Sequence, residues 1–300
     1  MAIITVKDQI EKILSNDTPR MGISTGIPDL DRVILGLRPA NLITIAGFSG
    51  IGKSGFMTDL GIAAAKETNV AMFTFEMGTE QTAERLLYNV ADLNYHRGVS
   101  GNLSKSEKKK LKEASDYINA MQYNIILDDE SDMVYPSWTD KPENTNSTGM
   151  AVQRYMDEGV SVFIIDYVQL MQYRFQSESE TLRIKEITGR LHKWAVQYDV
   201  TFIILAQLKK EVEEKCKNDS SYIPTKSDIR DSGFIINDSD IILMLHRPDF
   251  YKKKDSILFD DSVEPAQIYT AKMRNGPSGP IDCLFHSFSM KWVGLGSGGI

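Results

Sequence analysis

The feature that most constrains the fold of this chain is the segment Gly-Phe-Ser-Gly-Ile-Gly-Lys-Ser at residues 47–54. Its Gly47, Gly52, Lys53 and Ser54 match the pattern G-x-x-x-x-G-K-[ST]. A buried-strand pattern precedes the segment and a helical pattern follows it, which is the context that a phosphate-binding loop requires. Glycines let such a loop curl until its N–H groups face a phosphate at the start of the helix. The segment therefore predicts nucleotide binding.

The residues of this loop have different expected tasks. Lys53 is expected to reach the β- and γ-phosphates of ATP, and Ser54 is expected to place its hydroxyl on Mg²⁺. The expected nucleotide-binding residues are Gly47, Ser49, Gly50, Ile51, Gly52, Lys53 and Ser54. We therefore expect ATP and Mg²⁺ as ligands and ATP hydrolysis as the reaction.

Three polar residues near the ends of other predicted strands are candidates for the rest of the site. Asp166 ends an apolar run and is the expected second anchor for Mg²⁺; the alternative is an Asp that caps the next turn. Glu76 would hold and deprotonate the attacking water, although a solvated Glu at a strand end has the same pattern. Gln207 would sense the γ-phosphate, and spacing alone leaves that role open.

Strand and helix patterns alternate along most of the chain. Strands are predicted at Asn41–Gly47, Asn69–Glu76, Tyr123–Asp128, Val160–Asp166, Val200–Ala206 and Asp240–Leu245. Helices are predicted at 5–14, Lys53–Lys66, Thr79–Leu93, Ser104–Ala120 and Glu180–Tyr198. Apolar runs without alternation indicate strands buried on both faces, so the expected fold class is α/β with a mostly parallel central sheet flanked by helices. The segments Ala266–Met273 and Ile281–Phe288 predict a C-terminal antiparallel hairpin.

The expected organisation is one large domain with short additions at both ends. Residues 1–20 are predicted to be a linker helix and linker, residues 21–293 the main domain, and residues 294–300 a flexible tail. A lone amphipathic helix cannot bury its apolar stripe, so it must dock on its own domain or on a neighbour. The polar segments Asp129–Gly149 and Lys209–Asp228 are predicted to be long loops.

Composition excludes some classes of function. The net charge of −7 argues against a broad basic face that wraps nucleic acid, although it leaves room for a narrow basic channel. No run of 18 or more apolar residues occurs, so we expect no membrane span. The N-terminus lacks the features of a signal peptide. The two cysteines lie far apart in sequence, which fits a reducing, cytoplasmic setting.

Seven short segments, taken in order, resemble one known family. They are Thr25–Asp31, the phosphate loop, Phe75–Met77, Ile165–Met171, Gln207–Leu208, Asp228–Gly233 and Arg274–Pro277. The order resembles the ATPase domain of DnaB-type replicative helicases from about residue 22 to residue 288, and the acidic character and divergent loops resemble a bacteriophage-type member. The first two segments also occur in the wider RecA-like group, whereas the last three together are more specific to the DnaB type.

The resemblance implies a RecA-like P-loop NTPase that assembles as a homohexamer and moves 5′-to-3′ on single-stranded DNA. It makes Glu76 the catalytic carboxylate and Asp166 the Mg²⁺ partner, and Gln207 would couple the γ-phosphate to a DNA-binding loop. Lys272 and Arg274 match the pair that is supplied to the ATP of the neighbouring subunit, with Arg274 as the finger. A hairpin-turn Arg on the surface is the alternative for Arg274.

For DNA, the resemblance places Arg230, Asp231 and Gly233 on a loop that faces a central channel. Asp231 stands where the family has a glutamate, so its reach is one methylene shorter. The lysines at the start of the second long loop alternate with glutamates and favour a solvated helix face; they are Lys209, Lys210, Lys215 and Lys217.

The resemblance also implies a primase and a helicase loader as partners, no membrane, and a location in the cytoplasm of a bacterial cell or phage-infected host. Only about twenty residues precede the ATPase domain, where the family carries an N-terminal domain, so an excised fragment and a minimal member both remain open. Two other functions stay open as well. One is a RecA-type or clock-type ATPase, and the other is an ATP-gated DNA-binding scaffold that does not unwind.

Overall fold

The computed structural model describes residues 5–15, 21–134, 147–173, 179–219, 222–230, 232–252, 262–274 and 276–296. The strands are β1 (Leu42–Gly47), β2 (Asn69–Thr74), β3 (Ile125–Asp128), β4 (Met133–Val134), β5 (Val160–Asp166), β6 (Gln172–Tyr173), β7 (Thr201–Gln207), β8 (Ile241–His246), β9 (Val263–Met273), β10 (Pro280–His286) and β11 (Lys291–Gly294). The helices are α1 (Val6–Leu14), α2 (Pro28–Ile34), α3 (Lys53–Ala64), α4 (Thr79–Val90), α5 (Tyr95–Val99), α6 (Lys105–Asn119), α7 (Thr148–Asp157), α8 (Glu180–Tyr198), α9 (Lys210–Asn218) and α10 (Ser232–Asp238).

One nine-stranded sheet organises these elements. Its order is β11-β10-β9-β8-β1-β7-β5-β2-β3. The six strands from β8 to β3 run parallel, and β9, β10 and β11 add an antiparallel ribbon at one side. The α/β fold class with a mostly parallel sheet and a C-terminal antiparallel hairpin is therefore confirmed. The carboxyl ends of the parallel strands meet along one edge, which is where ligands bind in such sheets.

The apolar runs form strands because both faces of the sheet are covered. All six residues of β1 are buried, as are all six of β8. Three aromatic side chains from adjacent strands pack as a row across the sheet. Phe163 stacks on Phe202 with ring centroids 5.0 Å apart and on Phe73 at 6.4 Å. This core holds the strand ends in fixed positions, which is the condition for a precise site on their edge.

The structure differs from the sequence-based expectation mainly in short elements. The segment predicted as a loop at Lys209–Asp228 begins with helix α9, and α7 starts inside the other predicted loop. Strand β2 ends two residues before Glu76. Helices α2 and α10 have seven residues each and β11 has four. Such short segments gain most of their stability from tertiary packing, so their own periodicity is too weak to predict them.

The N-terminal helix, unlike the core, has exposed apolar side chains. Helix α1 forms where an amphipathic helix was predicted, and its Val6 and Leu14 are 75% and 74% exposed. Val6 and Leu14 therefore gain little from packing on the described body of the chain. The predicted linker after Ser15 and the last four residues, 297–300, lie outside the described residues. Among the helices that the structure describes, none has the length and apolarity needed to cross a membrane.

Candidate functional site

The phosphate loop lies between β1 and α3 at the carboxyl edge of the sheet. Gly50 and Gly52 have φ values of 77° and 106°, a left-handed backbone region that favours glycine. The Lys53 ammonium curls back along the loop and donates to the carbonyl oxygens of Gly47 at 3.0 Å and Phe48 at 2.8 Å. These bonds hold the ammonium over the concave side of the loop, where phosphate oxygens would compete for the same donors.

Lys53 is a buried cation, only 8% exposed. Burial lowers the pKa of its ammonium to about 8, and the carboxylates of Asp166 and Glu76 oppose that shift. The charged form is thus stabilised only in part without a nucleotide. A polyphosphate would supply the missing negative charge, so binding is expected to raise this pKa again.

The side chains of Ser54 and Asp166 meet at the start of α3. The Ser54 hydroxyl donates to Asp166 Oδ2 at 2.7 Å. Asp166 is 1% exposed, and burial raises the pKa of its carboxyl group; the hydrogen bond from Ser54 opposes the shift and Glu76 adds to it. Its second oxygen, Oδ1, is buried and has no hydrogen-bond partner among the residues that the structure describes. A buried acceptor of this kind calls for a ligand.

This arrangement fits the Mg²⁺ that the sequence predicts. A hydroxyl, a carboxylate oxygen without a partner and an adjacent phosphate site are ligands that Mg²⁺ accepts, since it retains water and substrate oxygens in its shell. No cluster of three or more His, Cys, Asp or Glu side chains suited to a metal occurs within the described ranges. Ser54 and Asp166 would therefore hold the ion together with the nucleotide rather than as a complete protein cage.

Glu76 and Gln207 lie on the same edge of the sheet. Gln207 is the last residue of β7 and pairs in register with Gly47, where the phosphate loop begins. Glu76 is exposed in the turn after β2, whose last residue, Thr74, pairs with Asp166. The charge of Glu76 acts on both Lys53 and Asp166, as their shifted pKa values record. The carboxyl ends of β7, β5 and β2 therefore lie on the same edge of the sheet as the phosphate loop.

The proposed DNA-binding segment is joined to Gln207 by backbone bonds. The N–H of Arg230 donates to the carbonyl oxygen of Gln207 at 2.9 Å, and Leu208 forms a bridge with Ile229. The guanidinium of Arg230 is half-exposed and donates to Glu180 Oε2 at 2.9 Å. A change in position at Gln207 would therefore pass directly to Arg230.

Asp231 and Gly233 are the other two residues that were predicted to bind DNA from a loop. Asp231 lies outside the described residues. Gly233 was expected on a loop, but it is the second residue of α10, so the loop expectation is wrong for this residue.

Lys272 and Arg274 lie on the opposite edge of the sheet from the phosphate loop. The Lys272 ammonium donates to the carbonyl oxygens of Ile236 and Asn237 in the last turn of α10 and of Ser239 just after it. The Arg274 guanidinium is half-exposed, with Nε 3.1 Å from Asp240 Oδ1.

The strand register gives the separation between Arg274 and the phosphate loop of its own chain. Arg274 is level with Asp240, whose carboxylate accepts the N–H of Leu42 at the start of β1. Gly47 is five residues further along that strand, roughly 17 Å at strand spacing. Arg274 therefore cannot serve the nucleotide site of its own chain in this conformation.

Sequence reasoning missed a set of side chains outside the loop. Arg247, the first residue after β8, is 4% exposed and donates to the carbonyl oxygen of Ile51 at 3.0 Å and to Glu264. The indole N–H of Trp292 donates to the carbonyl oxygen of Gly52 at 3.1 Å. The available sequence signal was a charged residue directly after an apolar strand, at the edge where the ligand site lies.

A cavity of about 210 Å³ opens beside Ser54 and Gly55. Its aromatic side includes Tyr88 and Tyr95, whose rings meet edge to face at 5.6 Å, and the Arg85 guanidinium lies 5.6 Å from the Tyr95 ring centroid. A mixed aromatic and cationic lining suits a flat, polar ring system. No motif in the sequence identified this cavity, because its walls come from α3, α4, α5 and the β10–β11 turn.

Comparison with known proteins identifies a family for the chain as a whole. A family described as DnaB-like helicase C terminal domain matches residues 22–293. The replicative DNA helicase DnaB of Buchnera aphidicola subsp. Schizaphis graminum is 32% identical over 288 residues, which are 94% of this chain and 57% of the relative. That of Geobacillus stearothermophilus is 30% identical over 296 residues, 98% of this chain and 61% of the relative. The chain thus spans less than two thirds of the length of these relatives.

Two solved structures have the same fold. An ATPase domain is 25% identical with a TM-score of 0.78, and the alignment covers 97% of each chain. A DnaB-like replicative helicase, described with its interactions with primase, is also 25% identical with a TM-score of 0.78. That alignment covers 97% of this chain and 66% of the helicase.

Proposed function

Because this chain belongs to the DnaB-like helicase C-terminal domain family, we propose that it is the ATP-hydrolysing motor of a ring-forming replicative DNA helicase. The motor moves 5′-to-3′ on single-stranded DNA and unwinds duplex ahead of it. The observation that carries the proposal is the shared carboxyl edge of the sheet. There Lys53, Ser54 and Asp166 converge beside Gln207, and Gln207 is bonded to the backbone of Arg230.

Each residue on this edge has a role in the proposed hydrolysis. The loop N–H groups and Lys53 bind the β- and γ-phosphates, and Glu76 orients the attacking water and accepts its proton. Mg²⁺, when bound by Ser54 and Asp166, neutralises negative charge on the phosphate oxygens. The buried carboxylate and ammonium are already in place, so little reorganisation is needed at the reacting centre.

The nucleoside part of ATP would occupy the cavity beside Ser54 and Gly55. The cavity begins where the phosphate loop ends, and it presents the rings of Tyr88 and Tyr95 with the guanidinium of Arg85. A purine would stack against these groups. The phosphates and the nucleoside would then lie on opposite sides of the first turn of α3.

Coupling to DNA would pass through Gln207. Its side chain would contact the γ-phosphate, while its carbonyl oxygen holds the N–H of Arg230. Arg230 would contact DNA phosphates, a contact that is indifferent to base sequence. Asp231 and Gly233 follow in the same segment and are the other proposed DNA-binding residues.

The second half of the ATP site would come from a neighbouring subunit. Arg274 lies on the far edge of its own sheet and is half-exposed, a location that suits a finger for the ATP of an adjacent chain. Lys272 would accompany it once its bonds to the end of α10 exchange for phosphate oxygens. Six copies in a ring would give every site a complete set of residues.

The proposed division of the chain separates an N-terminal linker from the motor domain. Residues 1–20 would serve as the linker and residues 21–293 as the motor domain; Gly294, which was expected in the C-terminal tail, instead ends β11 and pairs with Cys283. The exposed Val6, Ile10 and Leu14 of α1 support docking of that helix on an adjacent subunit. A primase and a helicase loader are the proposed protein partners, and the cytoplasm of a bacterial cell or phage-infected host is the proposed location.

Unwinding of forked DNA in the presence of ATP and Mg²⁺ tests the proposal. Substrates that carry only a 5′ tail, only a 3′ tail or both tails separate direction from activity, and Lys53→Ala provides the control without turnover. We expect unwinding when the strand that threads the ring has a free 5′ tail. ATP hydrolysis that DNA stimulates without strand separation would identify an ATP-gated scaffold instead. Unwinding of the substrate that carries only a 3′ tail, with no unwinding of the one that carries only a 5′ tail, would refute the proposed 5′-to-3′ polarity.

A further inference from the structure

Side chains from the C-terminal part of the chain cover the outer side of the phosphate loop. Phe285 of β10 and Trp292 of β11 pack against Gly52, so a Cβ built at that glycine would lie 2.7 Å from the Phe285 ring. Phe250 lies beside Gly50, where a Cβ would meet its ring at 3.6 Å. One side of the phosphate loop therefore faces the proposed nucleotide, and the other side contacts a second layer of protein.

Arg247 is the charged member of this layer. Its guanidinium is 3.8 Å from the Phe285 ring centroid, and its Nε and Nη2 donate to Glu264 Oε2 at 3.3 and 2.9 Å. Its Nη1 donates to the carbonyl oxygen of Ile51 at 3.0 Å. Both ends of the planar fork are therefore engaged, one by the antiparallel ribbon and one by the loop. Glu264 compensates the buried charge, which would otherwise be costly.

The bond to Ile51 determines how one peptide group of the loop is oriented. The peptide bond between Ile51 and Gly52 is trans, since the one cis bond among the described residues is elsewhere. The C=O and N–H of a trans peptide point in opposite directions. With the Ile51 carbonyl held outward by Arg247, the N–H of Gly52 must point to the inner side of the loop.

Among the backbone hydrogen bonds of the described residues, none fixes the peptide group between Ile51 and Gly52 from within the loop. Gly52 has no side chain and lies at φ 106°, so the backbone on its N-terminal side has few steric limits. The carbonyl of Gly52 itself is already fixed, because Phe56 donates to it in the first turn of α3. The peptide before Gly52 precedes the helix and has no such ladder bond.

We propose that Arg247 is a positioning residue for nucleotide binding, which holds the Ile51 carbonyl outward and so directs the Gly52 N–H at the phosphate chain of ATP. The inference rests on the proposed ATP site. Glu264 contributes to stability, because its carboxylate neutralises the buried charge of Arg247. Neither residue belongs to the motifs that identify the family in this sequence.

The test measures binding of ADP and of inorganic pyrophosphate to the full chain and to Arg247→Met. Methionine keeps the apolar stem and removes every donor. We expect the Kd of both ligands to rise by about tenfold or more, as for loss of one well-placed hydrogen bond to a charged group. Because this interaction is present in ground state and transition state alike, KM for ATP should rise by a similar factor while kcat changes less than about threefold.

Three further variants separate positioning from general stability. Arg247→Lys keeps the charge but loses the fork, so it should also weaken ADP binding. Glu264→Gln keeps the donor to Ile51, so it should lower the melting temperature yet leave the Kd for ADP within about threefold. Trp194→Phe, a change in a buried core residue on α8, measures what lost stability alone does to affinity.

The outcomes are distinct. Folded Arg247→Met and Arg247→Lys proteins that bind ADP as tightly as wild type would overturn the inference. So would an equal loss of affinity in Trp194→Phe at the same melting temperature. If Arg247→Met does not fold, Arg247→Lys decides the matter with Glu264→Gln as its control: weaker ADP binding in Arg247→Lys alone supports the inference, and equal affinities in the two variants overturn it. A wild-type chain that binds neither ADP nor pyrophosphate would refute the proposed function itself, before any variant is compared.

Discussion

Charged side chains lie on both edges of the central sheet, but in opposite environments. At the carboxyl edge Lys53 and Asp166 are 8% and 1% exposed, and both have shifted pKa values. At the other edge Arg274 is half-exposed and paired with Asp240. Burial is costly for a charge, so the first group is stable only where the fold supplies partners, while the second is screened by water. One edge is therefore preorganised, and the other is free to adapt to a neighbour.

The difference between the two edges of the sheet gives a reason why ring assembly would regulate ATP hydrolysis. The preorganised edge can bind ATP within one chain. If Arg274 is the finger for its γ-phosphate, its position roughly 17 Å away along the strand direction means that the finger would come from another chain. Binding would then be a property of the protomer, and fast turnover a property of the assembly. The predictions below test each side of this division.

The largest effect is expected at the buried edge. Lys53→Ala removes the ammonium that neutralises the phosphates, so steady-state ATP turnover should fall by about a thousandfold or more. Lys66→Ala is the matched control, because Lys66 is an exposed lysine just beyond the same helix. A phosphate-release assay at saturating ATP measures both. Turnover near the wild-type level in Lys53→Ala would refute the assignment of the phosphate site.

A comparable loss is expected at the exposed edge, but it should be rescued between chains. Arg274→Ala should lower ATP turnover by about a thousandfold, because the finger stabilises charge in the transition state. Mixing this variant with Glu76→Ala should restore activity at interfaces where an intact pocket meets an intact finger. A mixture of Glu76→Ala with Lys53→Ala is the control, since every pocket then carries a lesion. Absence of rescue in rings shown to be mixed would contradict supply in trans.

An intermediate effect is expected from pH. Burial lowers the pKa of Lys53 to about 8, so the nucleotide-free ammonium loses its proton as pH rises through that value. Phosphate binds the charged form, so kcat/KM should fall by up to about tenfold per pH unit above the pKa. Bound ATP stabilises the charged form, so kcat should fall later. Steady-state pH profiles measure both kcat and kcat/KM. A kcat/KM that stays constant up to about pH 9.5 would contradict the assignment of Lys53 as the phosphate-binding cation.

The smallest effect is expected at Arg230, an exposed residue. Arg230→Ala should weaken binding of single-stranded DNA about threefold and reduce the slope of log affinity against log salt by about one. Arg32→Ala removes a comparably exposed charge from α2 and serves as the control. Fluorescence anisotropy at several salt concentrations measures both variants. An unchanged affinity and slope in Arg230→Ala would remove this residue from the DNA interface.

The long elements and the phosphate loop could be predicted from local pattern. Strands β1, β5 and β7 consist mainly of apolar residues that pack on both faces, and a run of that kind has few other stable outcomes. The loop is specific because its glycines and lysine occur at fixed spacing. Asp166 was expected at the strand end for the same reason, and it lies there with its carboxylate on Ser54.

The short elements could not be predicted in the same way. Helix α10 is tied at its end by Lys272, which is more than thirty residues further along the chain. The seven residues of α10 are too few to show a decisive periodicity of their own. A contact so distant in sequence leaves no local signal, so the helix that contains Gly233 could not be predicted from its own residues.

By itself the sequence determined the chemistry of the phosphate loop, the parallel core and the order of the family motifs, because these depend on residues close together in the chain. Only the tertiary structure decided which groups share an edge. It placed Arg274 on the far side of the sheet from its own loop, and it brought Arg247 within 3.0 Å of the Ile51 carbonyl across 196 residues of sequence. Strand order and register produce those distances, and they follow from how the whole core packs.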